Sequence, residues 1–129
     1  MPFPSLKFRL RSSHRYLPLI RGLVGAFGSC CPALTKVDIY RCAASLVEAF
    51  NNAVTHAHGA RAEMEIEIEM RACRRSLVFL VTDRGRGFRL FRVKRPPATS
   101  THGRGLVIIE AFMKNVSYKK NTLRMEYEL

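Results

Sequence analysis

The sequence is poor in acid. Only 10 Asp and Glu stand against 22 Lys and Arg in 129 residues, a formal charge of +12. A balance of that sign calls for a partner or ligand of opposite charge, and it governs encounter and solubility more than fold. The shortage is partly local. Residues 84 to 104 carry Arg84, Arg86, Arg89, Arg92, Lys94, Arg95 and Arg104 and no acid at all. The four cysteines, Cys30, Cys31, Cys42 and Cys73, contain no C-x-x-C spacing, and the neighbours Cys30 and Cys31 could pair only in a strained bridge. Reduced, packed thiols of a cytoplasmic protein are the expectation. No apolar run reaches the length of a membrane span. The one signal-like piece, LPLIRGLVGAF, is interrupted by Arg21, which argues against export. There are no internal repeats and no linker, so residues 1–129 read as one domain. At 47% hydrophobic residues the chain is rich enough to bury a core without metals or cross-links.

What is present reads as alternating elements. Residues 5 to 11 alternate as a strand. Leu17, Ile20, Val24 and Phe27 recur at helical spacing before Gly28. Thr35 with Asp38 three residues on is a capping box, opening a second helix from about Thr35 to His56 with Gly59 beyond it. In EMEIEIEM, residues 63 to 70, Met64, Ile66, Ile68 and Met70 face a core and the glutamates face solvent. SLVFLVT is a buried strand. Residues 84 to 102 break into Gly, Arg, Pro and Thr as a long loop. Gly105 to Met113 is a third helix. A closing hairpin turns near Lys119 to Asn121, with Leu123, Met125, Tyr127 and Leu129 pointing inward. The fold class is α+β: a two-layer sandwich with a mostly antiparallel, mixed sheet of about five strands and three helices on one face.

The second helix ends in EAFNNAVTHAHG, residues 48 to 59. Glu48, Asn52 and His56 recur every four residues and so project from one side on successive turns, with Asn51 a quarter-turn or more away. On its own this is an ordinary border of an apolar stripe. Two glycine pairs change its meaning. Asp83, Gly85 and Gly87 follow the buried strand in DRGRGF, and Gly103 and Gly105 precede a helix in HGRGL. Glycines at a strand-to-loop junction let backbone approach a flat ligand, and a glycine-opened helix offers N–H groups and a positive dipole end to phosphate.

With these residues in view, the chain resembles the Bergerat-fold (GHKL) ATPases, and within them the anti-sigma factor serine/threonine kinases. LVEAFNNAVTHA is similar to the family's N-box, VTDRGRGF to its first glycine box and THGRGLVIIEAFMKNVSY to its second, so that the likeness runs from about Leu17 to Leu129. The resemblance implies ATP and Mg²⁺ as cofactors and assigns roles. Glu48 would be the general base and Asn52 the Mg²⁺ ligand. Asp83 would accept from the adenine amino group, with Gly85 and Gly87 beside the ring. Gly103, Arg104 and Gly105 would form the phosphate-facing turn, and Thr122 would lie near the adenine. His56, on the stripe with Asn52, joins the cofactor-binding set. A lid is expected over about 88–102. It is short and basic where the family's lid is longer and often contains acids, and Asn121 stands where a glycine commonly precedes the threonine.

The expected function is ATP-dependent phosphorylation of a serine or threonine on a STAS-domain anti-anti-sigma partner, together with sequestration of a sigma factor and homodimerisation, in the cytoplasm. One rival is the catalytic domain of a histidine kinase whose phosphoacceptor lies in another protein. The other treats RGRGFRLFRVKR as an RNA-binding segment, but it leaves Glu48, Asn52 and the second glycine pair unexplained. Nucleic acid and membrane are therefore not expected partners.

Overall fold

In a computed structural model, the structure describes residues 3–57, 63–84 and 104–129. The backbone begins with β1 (Ser5–Arg11), followed by a short 3-10 turn and α1 (Leu17–Ser29). The longest helix is α2 (Lys36–Asn52). Then come β2 (Glu65–Ala72), β3 (Ser76–Thr82), α3 (Arg104–Phe112), β4 (Lys114–Lys119) and β5 (Thr122–Glu128). The five strands form one sheet in the order β1-β2-β3-β5-β4. Each of the four pairings is antiparallel. None of the described helices is long and apolar enough to cross a membrane.

Alternation decides which sheet face is covered. Ile66, Ile68 and Met70 of β2 are fully buried, as are Phe79 of β3 and Met125 of β5. The register sets them in rows across the sheet: Phe8 opposite Ile68, Ile68 opposite Val81, Val81 opposite Leu123. Against these rows pack Ile20 and Val24 of α1, Leu46 and Phe50 of α2 and Ile109 of α3, which close a single core. Met64 is only half-buried and Leu129 is 44% exposed, so these two ends of the predicted inward rows fall outside the core. The opposite face carries charge. Lys7 lies 3.6 Å from Glu69, and Arg9 lies 3.3 Å from Glu67. Such half-exposed pairs contribute only tenths of a kcal/mol each, about 0.2–1, and what they mainly do is keep the outer face polar.

Two local devices fix the helices. Gly28 allows close approach of α1 to α2, since a Cβ there would sit 2.8 Å from Ile39 Cδ1. At the start of α2 the capping box forms as read from sequence. Thr35 Oγ1 accepts from the Asp38 N–H at 3.1 Å, and Asp38 Oδ2 accepts from the Thr35 N–H at 2.8 Å. The other oxygen, Asp38 Oδ1, accepts from the hydroxyl of Tyr127. That bond pins the N-terminus of α2 to the end of β5 that pairs with the beginning of β3, where Tyr127 lies opposite Leu77.

The second helix departs from expectation at its end. A single α-helix was expected to reach His56, but α-helical bonding stops at Asn52 and Ala53–Ala57 continue as a π-helical turn. Such a turn bonds i to i+5 and widens the spiral, which breaks the four-residue repeat beyond Asn52.

Candidate functional site

The pinned start of α2 determines where its functional end lies. From Asp38 to Asn52 the helix advances about 21 Å at 1.5 Å per residue. From Leu77 to Asp83 the strand β3 advances about 20 Å at 3.3 Å per residue. Glu48 and Asn52 therefore arrive at the end of the sheet where β3 ends in Asp83. The third helix runs the opposite way. Its last residue, Phe112, lies under the guanidinium of Arg41 at 5.7 Å, and Lys114 just beyond it pairs with Glu126. Its N-terminus at Arg104 thus points back to the same end as Asn52. By these lengths Glu48, Asn52, Asp83 and the opening turn of α3 lie toward one end of the molecule.

Glu48 is half-buried. Burial pushes its carboxyl above the ordinary carboxylate range, and a hydrogen bond from Asn51 and the charge of Arg21 act in the other direction. Asn51 was expected to point away from this group. Instead it partners Glu48, because residues three apart on a helix lie on neighbouring turns. Arg21, read from sequence only as a break in an apolar run, reaches the same carboxylate from α1 by its field. Asn52 is half-buried and His56 is exposed on the π-helical turn.

Asp83 is 3% exposed. Its N–H donates to the Asn121 carbonyl at 2.9 Å, which holds the end of β3 against the hairpin turn. Its Oδ2 accepts from the hydroxyl of Tyr118 on β4. A carboxylate so deeply buried must have donors, since an ion left without them in the interior is strongly disfavoured. Tyr118 is the polar neighbour that sequence reasoning missed. Its signal was the alternation with Val116 two residues before it, which sets both toward the core, Tyr118 opposite Leu123.

Thr122 does not join this group. Strand alternation turns Val81 and Leu123 toward the helices and Thr82 and Thr122 to the other face, where their hydroxyls meet at 2.9 Å. On the helix-facing side Tyr118 stands next to Asp83. Asn121 has φ 63° and Lys120 φ 49°. Two successive left-handed residues are what a tight two-residue hairpin needs, and asparagine tolerates that region where most side chains do not. This accounts for asparagine at a position where the family commonly has glycine.

Gly85, Gly87 and Gly103 and the expected lid over 88–102 lie outside the described residues. Arg104 and Gly105 open α3 as expected, and only their backbone is described. Among the described residues no cluster of three His, Cys, Asp or Glu could hold a metal ion. That is compatible with Mg²⁺ held as on a nucleotide, where phosphates and waters supply most of the oxygens and the protein adds one or two. The donor set fits such a ligand. A buried carboxylate can take an exocyclic amine, an amide oxygen can reach a hard cation, and a helix start can face phosphate.

The chain matches the family described as histidine kinase-like ATPase domain over residues 10–127. It belongs to that family, an ATP-binding fold of the GHKL type. No match was found among curated proteins.

Proposed function

We propose that the chain is an ATP-dependent serine/threonine protein kinase of the anti-sigma factor type. In this reading Asn52 holds Mg²⁺ on the triphosphate, Asp83 accepts from the adenine amine, and the start of α3 faces the phosphates. Glu48 then takes the proton of the attacking hydroxyl. The observation that carries the reading is the environment of Glu48, a carboxylate raised by burial, one helical turn from the amide assigned to the metal. A base is most effective when its pKa approaches the working pH, and burial moves Glu48 in that direction. The acceptor is a serine or threonine on a STAS-domain partner. Binding of a sigma factor, a homodimeric state and a cytoplasmic setting belong to the same reading.

The test replaces Glu48 with Gln, which keeps size and most hydrogen bonding and removes the base. Transfer of labelled phosphate to a STAS partner should fall by about 10²- to 10⁴-fold, while Mg-ATP affinity by calorimetry stays within about twofold. Undiminished transfer excludes Glu48 as the base. A label that disappears from the partner in acid but survives in alkali marks phosphohistidine, and would replace this reading with a catalytic domain serving a separate histidine acceptor.

A further inference from the structure

The end of the molecule remote from Asn52 and Asp83 holds a feature that nucleotide binding does not use. Three of the four cysteines, Cys30, Cys31 and Cys73, line one cleft of about 150 Å³, together with Phe3, Ala72 and Leu129. They come from different places in the chain. Cys30 and Cys31 follow the last turn of α1, while Cys73 lies in the turn between β2 and β3. The backbone around the cleft is tied by hydrogen bonds from Ala72 N–H to the Pro4 carbonyl and from Leu129 N–H to the Arg75 carbonyl, both 2.9 Å.

We propose that this cleft is a thiol oxidation site, in which a small peroxide joins Cys30 to Cys73 as a disulfide. Cys30 is the most accessible of the four thiols, and Cys73 is half-exposed. The alternatives are weaker for separate reasons. Cys42 is fully buried and its thiol is pushed up to about 12 by desolvation. Cys31 packs against the core, and burial and then the neighbouring Cys30 raise its thiol. A bridge between adjacent cysteines is strained. A metal held by the cleft is not supported either, because no three such ligands converge among the described residues.

The chemistry balances with hydrogen peroxide as oxidant. One thiolate attacks the peroxide O–O bond, forming an S–O bond and releasing hydroxide, which is protonated to water. The second sulfur then attacks the sulfenic sulfur, forms the S–S bond and expels a second hydroxide, again protonated. Two thiols lose two electrons and two protons in total, and the peroxide leaves as two waters. The product ties the end of α1 to the β2–β3 turn.

The experiment uses the whole purified chain at low concentration, one equivalent of hydrogen peroxide, alkylation of the remaining thiols, and tryptic mapping without reductant. The expected product joins peptide 22–36 to peptide 72–74, lighter by about two hydrogens than the two reduced peptides together. It should be lost in Cys30→Ser and in Cys73→Ser and retained in Cys31→Ser, with melting curves showing that each variant is folded. Any of three results overturns the proposal: Cys73 still fully alkylated after oxidation, a bridge confined to peptide 22–36, or a cross-link found only between two chains.

Discussion

Asp38→Ala tests whether the start of α2 is held as described and, through it, where Glu48 and Asn52 are placed. The side chain has three roles. It completes the capping box with Thr35, it accepts from the Tyr127 hydroxyl, and it places a negative charge in the first turn of the helix. A cap contributes about 1 kcal/mol. A hydrogen bond to a charged group contributes about 1.5 kcal/mol at the low end suited to a partly exposed site, and the dipole term adds about 0.5 kcal/mol. These terms share one carboxylate and are not independent, so the expected loss is about 2 kcal/mol, or roughly 6–10 °C in Tm for a chain of this size. The sign with pH is fixed by the carboxyl. The hydrogen bond from Tyr127, then that from the Thr35 backbone, holds its pKa below the ordinary range. Its contribution is therefore present above the unfolded value and lost as pH falls through the folded one. Thermal melts of both proteins should differ fully at pH 7 and converge only as the pH falls through the folded-state value, which lies below the ordinary carboxylate range. Asp38→Asn, which keeps an acceptor for Tyr127, should recover part of the loss. A difference under about 0.5 kcal/mol at pH 7, or one that stays constant down to acid pH, would refute the tether.

Replacing Asn52 with Ala should abolish the Mg²⁺-dependent part of ATP-analogue binding in calorimetry. Asn51→Ala should leave that affinity nearly intact and move the acid limb of the phosphotransfer profile to higher pH, because Glu48 loses the hydrogen bond that lowers its pKa; equal loss of affinity at both positions would contradict the arrangement of the helix. ATP should bind at least about 10²-fold better than GTP, since a site built around a buried acceptor penalises a ligand lacking the matching donor. Comparable affinities would remove Asp83 from its assigned role.

Much of this protein is written in local pattern. Alternation in EMEIEIEM set Ile66, Ile68 and Met70 inward, because a strand has only two faces and one of them must be covered. The capping box at Thr35 and Asp38 and the turn at Lys120 and Asn121 are equally local, each being satisfied within four residues. The four-residue spacing of Glu48 and Asn52 and the glycines around Asp83 and Arg104 carry the family resemblance that implies a nucleotide site. What the pattern could not contain is whatever depends on a partner far along the chain. Tyr118 donates to Asp83, and Tyr127 fixes Asp38, only because the sheet sets β5 beside β3 and β4 on the far side of β5. The field of Arg21 at Glu48 depends on the packing of α1 against α2, and the meeting of the Thr82 and Thr122 hydroxyls follows from the register of β3 and β5. Asn51 falls outside the four-residue stripe, yet it meets Glu48, because side chains three apart on a helix lie on neighbouring turns. The sequence by itself determined the elements and the residue types of the site. Their protonation, partners and facing were decided by the tertiary structure, because burial and charge at a side chain are sums over neighbours that the chain supplies only after it has folded.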